Sequence, residues 1–320
     1  MKPIMVQSQF YANQVMKRLL LLSLLVVLPF SGFAQEGIMA MPYWMAKSSL
    51  NTSSLGEGLE AKELGITSFY KKQWNSIPNS PENMFFQLAF KANEKNSIGL
   101  QVMSLQFKTF DYQSIALPYV FNAKFNDQLS LQLGLNSKLL INAPDFTGLT
   151  PNTAIDVDLG QYGGAYFNAT VSGQLSFKNV FSIGGSYNNF LTNNQFNPDK
   201  IINYSTLGAN TWSAFTSMKL PLGSKLKMGI DGVYRSDYFF GEVAEGYLNF
   251  GTSRFKIGGG YRSLGDYVAS LELFVLPNLG FSYAYMNNTN AVIQQLGTSH
   301  CIGLKFNSHR SKDDSDEKTQ

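Results

Sequence analysis

The sequence predicts an all-β protein: a transmembrane outer-membrane β-barrel of about 14 antiparallel strands, preceded by a short N-terminal segment in the periplasm or plugging the lumen. Three observations carry this. Composition is the first. The 320 residues are 15% charged and 14% aromatic, with 28 glycines and mean hydropathy of −0.10. Soluble domains carry about a quarter charged residues, and a bundle of membrane helices would be far more apolar. The second is a period of two in hydrophobicity, which sorts side chains onto two faces of a strand. The third is an alternation of short and long connections, which a soluble β-sandwich does not require.

The elements follow in order. Residues 1–34 read as a signal peptide: Lys17-Arg18 is the basic region, Leu19 to Phe30 the apolar core, and Gly32-Phe33-Ala34 the small-residue cleavage site before Gln35. The apolar run falls short of the roughly 20 residues of a spanning helix. Residues 1–15 are not needed by this unit, and Met16 is a candidate true start. Removing 1–34 takes away Lys2, Lys17 and Arg18 and no acid, leaving 22 of the 25 basic residues against 22 acidic ones. The excess positive charge therefore belongs to export, and no basic face for nucleic acid is predicted. Residues 35–62 lack a clean period and carry Met39, Met41, Trp44 and Met45. This is the periplasmic or plug segment.

From 63 to 308 the chain alternates. Predicted strands run at 63–75, 82–93, 97–110, 112–126, 128–142, 162–177, 181–191, 211–221, 225–237, 242–250, 254–263, 267–276, 279–287 and 299–307. The fifth shows the pattern most plainly: Leu129, Leu131, Leu133 and Leu135 interleave with Ser130, Gln132, Gly134 and Asn136. An even count places both termini at the periplasmic side in single-chain bacterial barrels. Connections after even strands, such as Asn126-Asp127 and Pro277-Asn278, are tight and built of turn residues. The long ones, 143–161, 192–210 and 288–298, all follow odd strands. Lumen-facing charges are predicted at Lys91, Lys124, Lys178, Lys227, Asp231, Lys256 and Arg262. Residues 309–320 form a charged periplasmic tail.

The stretch Glu63 to Pro78 reads ELGITSFYKKQWNSIP, and the end of the chain reads GFSYAYMNN, a loop, then SHCIGLKF. Tyr70, Lys72, Gln73 and Trp74, with Ser299-His300 opening the last strand, resemble the PorP/SprF family of outer-membrane proteins of the type IX secretion and gliding machinery. The resemblance runs from about residue 38 to 307. It departs at 42–56, where PYWMAKSSLNTSSLG replaces the family's Asn-Pro stretch and following Ala-Gly. What the resemblance implies is a non-enzymatic barrel supporting secretion or surface attachment of a sorting-domain protein such as an adhesin. Its partners would be proteins of the type IX machinery and that surface protein, within outer-membrane lipid.

The chemistry is sparse. There are two histidines and one cysteine, Cys301, so no internal disulfide and no Cys-rich metal site are predicted. His300 and Cys301 are strand neighbours that point to opposite faces. Asp156 and Asp158 are two carboxylates where Ca²⁺ wants six to eight oxygens. No catalytic residue, cofactor or metal is assigned. Partner contacts are assigned to Trp74 and to the apolar points of the long loops, Phe146, Leu149, Ile155, Phe196 and Ile201, because apolar anchors on polar loops favour protein contacts. For Trp74 an aromatic-girdle position at headgroup level is the competing reading. The alternative function is an outer-membrane channel for small-molecule uptake.

Overall fold

The computed structural model describes residues 43–78, 80–107, 110–144, 164–178, 180–188, 211–237, 241–289 and 294–308. Residues 1–42 and 309–320, with the expected signal peptide and charged tail, lie outside these residues. Fourteen antiparallel strands close into one barrel, each paired with its sequence neighbours and β1 paired with β14. They are β1 (Leu64–Lys72), β2 (Glu82–Lys91), β3 (Asn96–Phe107), β4 (Phe110–Lys124), β5 (Leu129–Pro144), β6 (Gly164–Phe177), β7 (Phe181–Asn188), β8 (Thr211–Pro221), β9 (Lys227–Asp237), β10 (Gly241–Gly251), β11 (Phe255–Arg262), β12 (Asp266–Leu276), β13 (Leu279–Asn288) and β14 (Ser299–Asn307).

The period of two becomes a two-sided wall. On β5, Leu133 and Leu135 point outward and stay about half exposed, at 48% and 44%, while Gly134 and Asn136 at the alternate positions are buried inside. The same holds around the ring: Ile257, Phe281 and Ile302 face out, and Asp231, Arg262 and Ser282 face in. Tyr and Trp dominate the outward side of one rim (Tyr187, Trp212, Tyr234, Tyr261, Tyr267), and Phe dominates the other (Phe121, Phe177, Phe181, Phe255, Phe281). Two aromatic belts around an apolar band is the surface a bilayer selects.

The connections after even strands, 92–95, 125–128, 178–180, 222–226, 252–254 and 277–278, are all tight. Those after odd strands include 73–81, 145–163, 189–210 and 289–298. The short-turn rim is the periplasmic side in bacterial barrels.

Two details depart from the sequence expectation. β1 stops at Lys72 rather than running to 75, because Trp74 takes a left-handed backbone (φ 52°) and Gln73 N–H turns to bond Pro81 O at 2.9 Å. Lys178 was expected in the lumen. It sits in the β6–β7 turn, also with positive φ (51°), and its Nζ lies 5.4 Å over the ring of outward-facing Phe177. A residue that leaves the pleat no longer obeys the alternation.

The two faces generate a prediction. Leu133→Arg places a guanidinium on the lipid side and should cost roughly 2–4 kcal/mol near the midplane. Gln132→Arg has its side chain inside, against a cavity of about 410 Å³ that has room for it, and should lose little. Urea titration of folded barrel in micelles should show the loss for the first. Equal losses for both would contradict the assigned faces.

Candidate functional site: a lumen occupied by the chain's own N-terminal segment

Residues 43–59 lie within the barrel. They form a 3₁₀ turn at Tyr43–Met45, a one-turn helix α1 at Lys47–Leu50, and a second 3₁₀ turn at Thr52–Ser54. Nothing in this stretch gives a long helix: Ser and Asn compete for backbone hydrogen bonds and favour caps and turns. Asn51 shows it, accepting Ser53 N–H at 3.1 Å through Oδ1.

Those side chains bind the inner wall on many strands at once. Ser48 Oγ donates to Gln87 Oε1 at 2.5 Å, and Gln101 Nε2 donates to the same oxygen at 2.8 Å. Asn51 Nδ2 donates to Gln174 Oε1 at 2.8 Å. Ser53 N–H donates to Ser172 Oγ at 2.8 Å, and Ser186 Oγ donates to Leu50 O at 2.9 Å. Lys91 Nζ reaches Leu59 O at 2.7 Å. β2, β3, β6 and β7 all take part. Each such bond is worth about 1 kcal/mol net, but leaving its buried partner unsatisfied costs more.

Two ion pairs add charge. Lys47 Nζ lies 2.9 Å from Asp231 Oδ1 on β9 and donates to Ser217 Oγ at 2.9 Å; the Asp231 side chain is 3% exposed. Glu57 pairs with Lys219 on β8. Burial alone would raise the Glu57 carboxyl, but the Lys47 and Lys219 ammonium groups override it and hold the group down to about 2.

Apolar contacts complete the fit. Tyr43 stacks on Phe215 with centroids 6.1 Å apart, and Trp44 packs edge-on to Tyr247 at 4.6 Å. Tyr247 has room because Gly260 faces it: a Cβ there would lie 2.0 Å from the ring. Gly134 plays the same part for the segment itself, since a Cβ would sit 2.4 Å from Ser172 Oγ and 2.7 Å from Ser53 N. Toward the short-turn rim the segment divides the lumen into two cavities of about 400 and 410 Å³, with Glu57 and Lys219 lining both.

In the long-loop half, Arg262 and Glu245 are buried together. Arg235 Nε lies 3.0 Å from Glu245 Oε1, and Arg262 Nη1 lies 3.6 Å from Asp266 Oδ2. Tyr247 OH donates to Glu245 and accepts from Arg262 Nε at 3.2 Å. The sequence marked Asp231 and Arg262 as lumen-facing but not their partners, which lie across the pleat or in the N-terminal segment.

The residues that carried the family resemblance converge. Lys71 and Lys72 on β1 are paired with Cys301 and His300 on β14. Asn75 Nδ2 lies 3.3 Å from His300 Nε2, and Asn75 N–H donates to Thr298 O at 3.1 Å. Tyr283 OH lies 2.7 Å from His300 Nδ1. Cys301 points inward, fully buried, on the face opposite His300. Of the residues assigned to partner contact, Trp74 sits in this laced corner, half-buried, in the loop after β1. Phe146, Leu149, Ile155, Phe196 and Ile201 lie outside the described residues. Among the described residues no group of three or more His, Cys, Asp or Glu is placed to hold a metal ion.

A closed antiparallel barrel with a lipid-compatible exterior and a segment of its own chain bound in the lumen is an outer-membrane β-barrel protein of the occluded kind. Residues 58–306 match the family described as type IX secretion system membrane protein PorP/SprF, and the chain belongs to that family. No curated protein sequence matches it. Similar solved structures include the CymD monoaromatic hydrocarbon channel, at 13% identity and TM-score 0.48 over 83% of this chain and 94% of that one. The Ralstonia pickettii toluene transporter TbuX gives 9% identity and TM-score 0.47 over 83% and 92%, and the KdgM porin 10% and 0.39 over 77% and 99%.

The Lys47–Asp231 pair yields a prediction. Asp231→Ala strands a lysine amid the lumen wall, and breaking a buried pair costs about 3–5 kcal/mol. Lys47 keeps some access to cavity water, so the low end applies. Amide exchange at Ser53 should speed up at least about tenfold while the β5–β6 amides stay protected. Unchanged exchange at Ser53 would mean that the pair does not hold the segment.

Proposed function

We propose that this protein supports type IX secretion, or surface attachment, of a sorting-domain protein such as an adhesin, working beside other proteins of the secretion machinery. The observation that carries the reading is the occupied lumen in a member of a type IX secretion family. A segment tied to β2, β3, β6, β7, β8 and β9 leaves little for a free solute path, which disfavours a small-molecule channel. No positioned nucleophile or metal is invoked, and the role is one of binding.

The long loops after β5 and β7 carry partner specificity, through Phe146, Leu149, Ile155, Phe196 and Ile201, with Trp74 as a further anchor at the same rim. What supports this is their apolar points on otherwise polar sequence and their place after odd-numbered strands. Deleting residues 148–158 should leave an inserted, protease-resistant barrel while the cognate surface protein is no longer exported or retained. Normal export from that variant, with large solute-selective conductance from the pure protein in planar bilayers, would sink this reading in favour of a channel.

A further inference from the structure

The inner wall binds a polypeptide main chain in the middle of the barrel. Gln101 Nε2 donates to Ser48 O at 3.2 Å, Ser186 Oγ donates to Leu50 O at 2.9 Å, and Ser172 Oγ accepts Ser53 N–H at 2.8 Å. These groups stand on β3, β7 and β6, and Gly134 on β5 leaves room for the backbone beside them. Inward positions recur every second residue along a strand. Followed toward the short-turn rim, β5, β6 and β7 repeat the same residue types, with Gln132 and Ser130, Ser176, and Ser182. Asn122 joins them from β4. These five line the cavity of about 410 Å³, which reaches the rim turns at Glu94 and Val180. The occupied wall therefore continues, with the same chemistry, into open space of the size of ligand sites, about 300–1,000 Å³.

The charges around this cavity are already matched. Lys124 Nζ lies 3.0 Å from Glu94 Oε2, Lys219 pairs with Glu57, and Lys91 Nζ donates to Leu59 O at 2.7 Å. What the wall has left to offer is neutral. Gln132 gives one N–H to Ser130 Oγ at 3.1 Å and accepts from Ser176 Oγ at 3.0 Å. A carboxamide has two N–H groups and two lone pairs, so one of each remains. Asn122 Oδ1 is buried and has no donor among the described residues. A peptide unit brings one C=O and one N–H, which the Gln132 N–H and the Asn122 carbonyl complement. We propose that this cavity seats a second polypeptide segment, an uncharged stretch of a partner protein that enters from the periplasm and is held by its main chain. Continuity with the seat of residues 48–53 is what favours a polypeptide over a sugar. A charged segment is disfavoured because it would enter among ion pairs that are complete. Who brings the segment rests on the secretion role proposed above, whereas the seat rests on the wall.

The test is maleimide labelling of a cysteine at the cavity edge, Val180→Cys with Cys301→Ser, in the purified full-length barrel. The probe is a synthetic peptide of the sequence Ser48–Ser54 with acetylated and amidated ends, the kind of chain the wall already holds. Labelling should slow as the peptide is added, about threefold at twice its Kd, since the open fraction falls as 1/(1 + [L]/Kd). Lys225→Cys, in the turn after β8, should label at an unchanged rate. Gln132→Leu should weaken the peptide roughly tenfold or more, the scale of two lost hydrogen bonds. Asn122→Ala should also weaken it, and it decides the matter should the first variant fail to fold. A peptide with N-methylated amides, and the trisaccharide chitotriose, should protect poorly. Absence of protection at any peptide concentration overturns the proposal. So does equal protection by the N-methylated peptide, since main-chain amides would not be what the wall binds, or stronger protection by chitotriose, since the seat would be a sugar's. The loop deletion bears on the secretion role and this titration on the seat, so either can fail alone.

Discussion

A bilayer core offers no water to backbone amides, so a spanning sheet must pair every strand on both sides. Everything else in this molecule depends on meeting that demand. Fourteen strands satisfy it only because β1 finds β14. Closure brings residues near 70 beside residues near 300. It also fixes where the rest of the chain can go. The segment before β1 and the sequence after β14 meet the barrel at the same rim, next to the same cavities.

Closure also creates an interior that has to be filled. Beside apolar residues such as Phe85, Phe215 and Met286, the inward positions on these strands carry many Gln, Asn, Ser and charged residues, which are costly to bury without partners. A water-filled pore is one solution. Here residues 43–59 provide another, giving hydrogen bonds and ion pairs to much of the wall. Gly134 is where the wall thins to admit it, and Gly260 makes room for Tyr247, against which Trp44 packs. In the long-loop half the chain solves the same problem internally, with two arginines, a glutamate, an aspartate and a tyrosine in one buried network. Such a network contributes less to net stability than to fixing which arrangement of strands is allowed, since a single lost member leaves charge stranded.

The strand set was legible because lipid on one side and a polar lumen on the other impose a period of two, and that period survives in the residues themselves. Each predicted strand lies within a few residues of an observed one. The errors fall where the backbone leaves the pleat, at Gln73-Trp74 and at Lys178, since a positive φ is invisible to hydropathy. The lumen was only half legible. Asp231 and Arg262 could be placed inside by alternation, but Lys47 and Glu245 as their partners could not, because those pairings need register and a segment with no period at all. The seam was legible in another way. Tyr70, Lys72, Gln73, Trp74 and Ser299-His300 stood out as motifs at the two ends of the sequence, and the structure gathers them in one corner.

The closure itself is open to a direct measurement. Ser68 on β1 faces Leu304 on β14 in register, and directly opposed strand residues have Cβ atoms about 4.5–5.5 Å apart. With Cys301→Ser removing the native thiol, a Ser68→Cys, Leu304→Cys protein oxidised in the membrane should form an intramolecular disulfide joining the two ends of the barrel. It should then migrate as a compact species even after boiling without reductant. The offset pair Ser68→Cys, Ile302→Cys should form little. An intramolecular bond in the offset pair but not the aligned one, or disulfides only between molecules, would mean that β1 and β14 do not close this barrel in the register described.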